Sequence, residues 1–170
     1  GIRGVEALAR WTRHDGEDIP PGVFVPLAEE CGLVQELGRA VLLQACLDAG
    51  ARHREAAAGL MAEAPTLSVN VSAVQLASPT FVDDVREALR LGGFPPEELV
   101  LEITETAVVQ DTETAAGRLM ELRHLGVRIA LDDFGTGYSA LGVLQRLPVD
   151  IIKIDRAFVR DVHLGPREAA

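Results

Sequence analysis

The chain has 170 residues, a formal net charge of −10, 48% apolar residues and only 4% aromatic ones. That length suits one ordinary domain with a sizeable buried core, and an apolar fraction drawn mostly from Ala, Leu and Val suits helices packed on a parallel sheet. The acidity excludes a basic stripe that would hold duplex nucleic acid, but leaves open a phosphate-bearing ligand whose charge is met by carboxylate-bound divalent metals.

In chain order, a first strand is predicted over residues 4–11. A helix follows over about 33–58, with Leu37, Val41, Leu42 and Ala45 on one face. The Ala-rich run 56–64 reads as its end and a loop, and a second strand is predicted over 67–72. Ser78 before Pro79 reads as an N-cap with proline at the first helical position; that helix carries Phe81, Val82, Val85 and Leu89 and stops at Gly92-Gly93. The third strand is predicted over 99–104, after which Asp111 caps a helix carrying Ala115, Leu119 and Leu122 and ending at Gly126. A fourth strand over 127–132, a short helix over 139–146 that stops before Pro148, and a fifth strand over 149–155 complete the series.

Cys31 and Cys46 lie in apolar helical patterns without ligand-like spacing, so both are expected as buried free thiols. No membrane segment is read in the chain and its first residues do not resemble a signal peptide, so the expected location is cytoplasmic. The chain starts at Gly1 and ends on Pro166-Arg167-Glu168-Ala169-Ala170, which reads as a helix start cut short and leads to the expectation of a fragment. Repeated strand–helix units imply either an open doubly wound sheet or a (β/α)8 barrel. A barrel takes about 250 residues, so on that reading several strands are missing.

The strands are polar on one side. Successive strand side chains face opposite ways, so Glu6, Leu8 and Arg10 share a face of the first strand, Ser68, Asn70 and Ser72 of the second, and Glu102 and Thr104 of the third. Lys153 and Asp155 oppose Ile152 and Ile154 in the last. The other faces are aliphatic and suit covering helices. Carboxylates from several strands are costly to bury together unless a cation neutralises them, and hard oxygen donors of this kind suit Mg2+ or Mn2+. Scattered polar residues at strand ends would explain any one of them equally well. The run Asp132-Asp133-Phe134-Gly135-Thr136-Gly137-Tyr138-Ser139 is the most specific local signal: two carboxylates at a strand end, then a glycine loop. It also reads as a capped turn; a Walker phosphate loop is excluded because no Gly-Lys-Ser/Thr follows.

Together these segments resemble the EAL domain family. The resemblance rests on Glu6-Ala7-Leu8-Ala9-Arg10-Trp11, Phe24-Val25-Pro26-Leu27-Ala28-Glu29-Glu30, Ser68-Val69-Asn70-Val71-Ser72, Glu102-Ile103-Thr104-Glu105, the Asp132-Asp133 loop and Ile152-Lys153-Ile154-Asp155, in the family's order across essentially the whole chain. It implies an α/β fold, a partial TIM-like (β/α)8 barrel with about five of the eight strands: the second to sixth, without the first and the last two. It further implies hydrolysis of cyclic-di-GMP to pGpG with two Mg2+ or Mn2+ ions. Carried over by motif, Glu6, Asn70, Glu102 and Asp132 would be metal ligands, Asp132 bridging. Asp133 would serve the second metal and its water. Lys153 would orient or deprotonate the attacking water, with a pKa lowered by nearby cations. Arg10 would meet a substrate phosphate, Leu8 would lie near the base or sugar, and Glu105 would anchor the glycine loop.

The family's Gln-Pro strand, its Ala-Glu-Gly-Val-Glu strand and a final strand bearing a glutamine have no counterpart in these 170 residues, so the isolated chain is expected to be impaired and to present open sheet edges. A homodimer is also in keeping with the resemblance. The alternative is a catalytically inactive EAL domain that senses cyclic-di-GMP or contacts a protein partner.

Overall fold

The computed structural model describes residues 2–61, 63–104, 107–108, 112–134 and 147–155. Five strands, β1 (Gly4–Ala7), β4 (Thr66–Val71), β5 (Leu99–Thr104), β6 (Arg128–Phe134) and β7 (Ile151–Ile154), form one parallel sheet in the order β1-β4-β5-β6-β7, curled into a half-barrel. Short Val-, Ile- and Leu-rich runs separated by helices produce this topology because parallel neighbours need a long crossover between them. The predicted third strand is observed over its full span, and the others match within a few residues except the first.

That first strand is shorter than expected. β1 pairs with β4 from Gly4 opposite Thr66 to Ala7 opposite Val69 and then ends. Trp11–Thr12 (β2) turns back antiparallel on Asp18–Ile19 (β3), through a turn in which Arg13 accepts from the amide of Gly16, whose φ is +88°. Arg10 therefore falls between two strands, and the alternation that put it on the Glu6 face is broken.

The helices cover one side of the sheet. α1 (Pro21–Glu30) begins on a proline and was not foreseen as a helix, because Pro20, Pro21 and Pro26 obscure its period. α2 (Val34–Ala57) matches expectation and buries Leu42, Ala45, Cys46 and Ala49. α3 (Ala73–Ala77) precedes α4 (Phe81–Gly92), whose N-cap is Thr80 rather than Ser78. Ser78 instead ends α3, since a Ser72–Gln75 capping box starts a helix earlier than the sequence pattern suggested. α4 stops as expected at Gly93, in the left-handed region at φ +59°, and α5 (Thr112–His124) runs out at Gly126. The expected cap Asp111 and helix 139–146 lie outside the described residues.

Leu67, Val69, Val71, Leu99, Leu101, Ile103, Ile129 and Leu131 point to these helices and are all buried in one cluster with Cys46, Phe81, Val85, Leu89, Leu119 and Leu122. Each such side chain contributes about 1.5–3 kcal/mol by leaving water. α2 and α4 approach closely enough that a Cβ on Gly50 would lie 2.0 Å from the Gly92 carbonyl oxygen. Burial pushes the Cys46 thiol up to about 11. Cys31 corrects the expectation of two buried thiols: it follows the last turn of α1 and is exposed.

Candidate active site

The opposite, inner face carries the predicted polar residues near the ends of successive strands. Strand pairing sets their levels: Glu6 lies opposite Ser68, Asn70 opposite Glu102, and Asp132 opposite Thr104, one step further along the strands. The row therefore climbs across the sheet, as the stagger of a barrel requires.

Two groups of contacts organise it. The Asn70 Nδ2 amide donates to Glu6 Oε1 at 2.7 Å, joining β1 to β4. On the other side, Lys153 Nζ donates to Glu102 Oε2 at 2.6 Å and stands 3.6 Å from Asp132 Oδ2, joining β5, β6 and β7. Glu102 is only 4% exposed, whereas the Lys153 and Asp132 side chains are 38% and 28% exposed. The ammonium thus neutralises a carboxylate that could not be left alone in this setting. Burial works against the charge on Lys153, but the hydrogen bond to Glu102, with Asp132 and Glu6 nearby, carries its pKa above the ordinary lysine range. The carboxylates around Lys153 set this direction, whereas the lowering expected from the sequence rests on cations beside it.

Asp132 and Asp133 are consecutive, and on a regular strand they would face opposite sides. The pairing of β6 with β7 is irregular between Leu131 and Phe134, and Asp133 has a φ of +54°, unusual for a residue other than glycine. Such a bulge re-aims side chains and is a common device beside active sites. The Asp133 amide donates to Asp132 Oδ1 at 3.0 Å. Partial burial, the negative charges of Asp132 and Asp155, and a side-chain hydrogen bond with Asp155 push the Asp133 carboxyl above the usual range, with Lys153 pulling the other way.

A cavity of about 370 Å3 opens on the inner face, lined by Glu102 and Lys153 and, toward the strand beginnings, by Arg3, Ser68 and Arg128. A second, of about 190 Å3, lies between the ends of β1 and β4 and helices α1 and α2; Leu8, Asn70 and Gln75 line it. Leu8 thus shares a cavity with Asn70. Arg10 is not: its Nη1 donates to the carbonyl of Ala9 at 3.0 Å, and it borders a separate apolar cavity of about 450 Å3 with Trp11, Phe24 and Cys31. Glu105 and the glycine loop 135–139 lie outside the described residues. Gln75 was missed altogether, although Ser72 followed three residues later by glutamine is a readable capping signal.

Among the described residues, no three acidic, histidine or cysteine side chains gather as a group that could hold a metal. In donor chemistry the row does fit: three carboxylates and an amide oxygen are hard ligands, and a positive charge already stands between Glu102 and Asp132.

The family model described as EAL domain matches residues 1–170. The chain is 44% identical over 169 residues to an uncharacterized signaling protein of Caulobacter vibrioides, covering 99% of this chain and 20% of that protein. It is 40% identical over 173 residues to MucR of Pseudomonas aeruginosa, named a bifunctional diguanylate cyclase/cyclic di-GMP phosphodiesterase, covering 98% of this chain and 24% of that one. The chain therefore spans about a fifth to a quarter of the length of these curated relatives. Among solved structures, the PaMucR phosphodiesterase in complex with c-di-GMP superposes with a TM-score of 0.85 at 40% identity, over 99% of this chain and 66% of that one. A parallel half-barrel with an inward row of carboxylates and amides, matched over its whole length in sequence and shape, places this chain in the EAL domain family.

Proposed function

We propose that this chain carries the larger part of an active site that hydrolyses cyclic-di-GMP to linear pGpG. The observation that carries this reading is the row in which Glu6 and Asn70 are joined on one side and Glu102, Lys153 and Asp132 on the other, all on the inner face of a parallel half-barrel. The named phosphodiesterase among the relatives supports the substrate.

On this reading Glu6, Asn70, Glu102 and Asp132 would hold two Mg2+ or Mn2+ ions, with Asp133 adding to the second. Such ions lower the pKa of water and stabilise both the attacking and the leaving oxygen of a phosphodiester. Lys153 is the residue that orients the attacking water. Its ammonium is held by Glu102 and Asp132 in this structure, so drawing those carboxylates toward the ions would free its N–H groups to donate to that water. Leu8 would border the base or sugar, and Arg10 would have to leave Ala9 to meet a phosphate. Turnover by the 170 residues alone would be impaired, because β1 and β7 are each paired on one side only among the described residues.

Incubating the full-length protein with cyclic-di-GMP and Mn2+ tests the proposal. pGpG is the expected product, and Asp132→Ala is expected to abolish it and to weaken Mn2+ binding. Binding without pGpG would favour a sensor, and unchanged turnover in the variant would refute the role given to Asp132.

A further inference from the structure

The exit of β4 is built with more care than a loop requires. α3 has five residues, too few to hold together on helical hydrogen bonds alone. Three ties hold it. Ser72 and Gln75 cap it reciprocally: the Gln75 amide nitrogen donates to Ser72 Oγ and the Ser72 amide to Gln75 Oε1, both at 3.2 Å. Arg118 of α5 donates to the Leu76 carbonyl at 2.5 Å. The Gln75 carboxamide also packs against α2 at Gly38, where any Cβ would come within 1.8 Å of its Nε2.

Gln75 is one of only three buried polar or charged side chains among the described residues, with Ser78 and Glu102. Burying an amide is costly unless its bonds are used. What its bonds fix is the backbone of Ser72, two residues after Asn70, and Gln75 and Asn70 line the same cavity. Asn70 is the residue that reaches across to Glu6.

We propose that Gln75 is a positioning residue: through the Ser72 cap and its seat on Gly38 it holds the end of β4 so that the Asn70 carboxamide meets Glu6 and faces the reaction site. The proposal rests on the phosphodiesterase reading for its effect on turnover, but not for its effect on Asn70. Residues that orient such groups typically contribute about 10–100-fold in metal affinity or activity.

The test uses Gln75→Leu, which removes both polar functions at similar volume, and Gln75→Glu, which keeps the acceptor for the Ser72 amide, in the full-length protein. Three quantities are read: kcat and KM for cyclic-di-GMP, Mn2+ affinity by calorimetry, and the side-chain amide resonances of Asn70. Gln75→Leu is expected to lower kcat by about 10-fold or more with KM little changed, to weaken Mn2+ binding similarly and to shift the Asn70 resonances; Gln75→Glu recovers most of the kcat. Gly38→Ala, which crowds Gln75 from α2, gives the same signature and serves where Gln75→Leu does not fold. Loss of thermal stability alone, with kcat, Mn2+ affinity and Asn70 resonances unchanged, overturns the proposal. A wild-type protein that makes no pGpG overturns the phosphodiesterase reading instead, and the Mn2+ and Asn70 measurements then still decide the role of Gln75.

Discussion

The two faces of the sheet are made by the same strands and solve opposite problems. On the outer face Leu67, Val69, Leu101, Ile103 and Ile129 meet α2, α4 and α5, and any side chain of the right size and polarity would serve, because burial is not directional. On the inner face the residues between them in sequence, Asn70 and Glu102 among them, need named partners at set distances. Glu102 shows the contrast most sharply: it is as buried as its aliphatic neighbours, yet it depends on a single lysine from another strand. The outer face therefore tolerates exchange but not truncation, and the inner face tolerates neither without losing an ion pair or an amide contact.

Four single variants and one double mutant test this contrast. The largest stability loss is expected from Leu101→Ala, which empties a fully buried outer site and should cost about 2–5 kcal/mol in chemical denaturation. Lys153→Met comes next: it leaves Glu102 without its cation and should cost about 1–3 kcal/mol. Adding Glu102→Gln to that variant should recover part of the loss, and a fully additive double mutant would show that the pair does not couple. Because the folded pKa of Lys153 is raised, its stabilisation is complete at neutral pH and is lost only as pH climbs through that raised value.

Asn70→Ala should cost less than about 1 kcal/mol, since both Asn70 and Glu6 are exposed, while removing activity in the full-length protein. An equal loss of stability to Leu101→Ala would erase the distinction between the faces. The smallest effect has the opposite sign. Asp133 holds its proton more tightly when folded than when unfolded, so its contribution is most favourable in acid and declines as pH rises through its raised folded value. Asp133→Asn, which also suits a positive φ, should raise the melting temperature slightly at neutral pH and make no difference below about pH 3. Thermal melts at the two pH values distinguish this from a general packing effect, which would not follow pH.

Much of this was legible beforehand where the signal is local. The strand over 99–104, the stops at Gly93 and Gly126 and the aliphatic faces all follow from a period of two, a period of 3.6 or the freedom of glycine. The failures share a different cause. Nothing within residues 4–11 says that β1 should leave the sheet at Ala7, because that depends on where β4 offers partners and on Trp11 finding Ile19. Ser78 reads as a helix start because the cap at Ser72 competes with it, and Cys31 reads as buried from its apolar neighbours although it falls just past the last turn of α1, where it is exposed.

The order of strands and helices, the polar side of most strands and the motifs of the EAL domain family can be read from the chain alone, because they are written in short periods and in residue types. The partner of each polar group is set by folding: Asn70 for Glu6, Lys153 for Glu102 and Asp132, and a bulge that takes Asp133 out of regular alternation. Those partners lie between about twenty and sixty residues apart in the chain, and their meeting depends on register across parallel strands, where a shift of one residue would send each side chain to the opposite face.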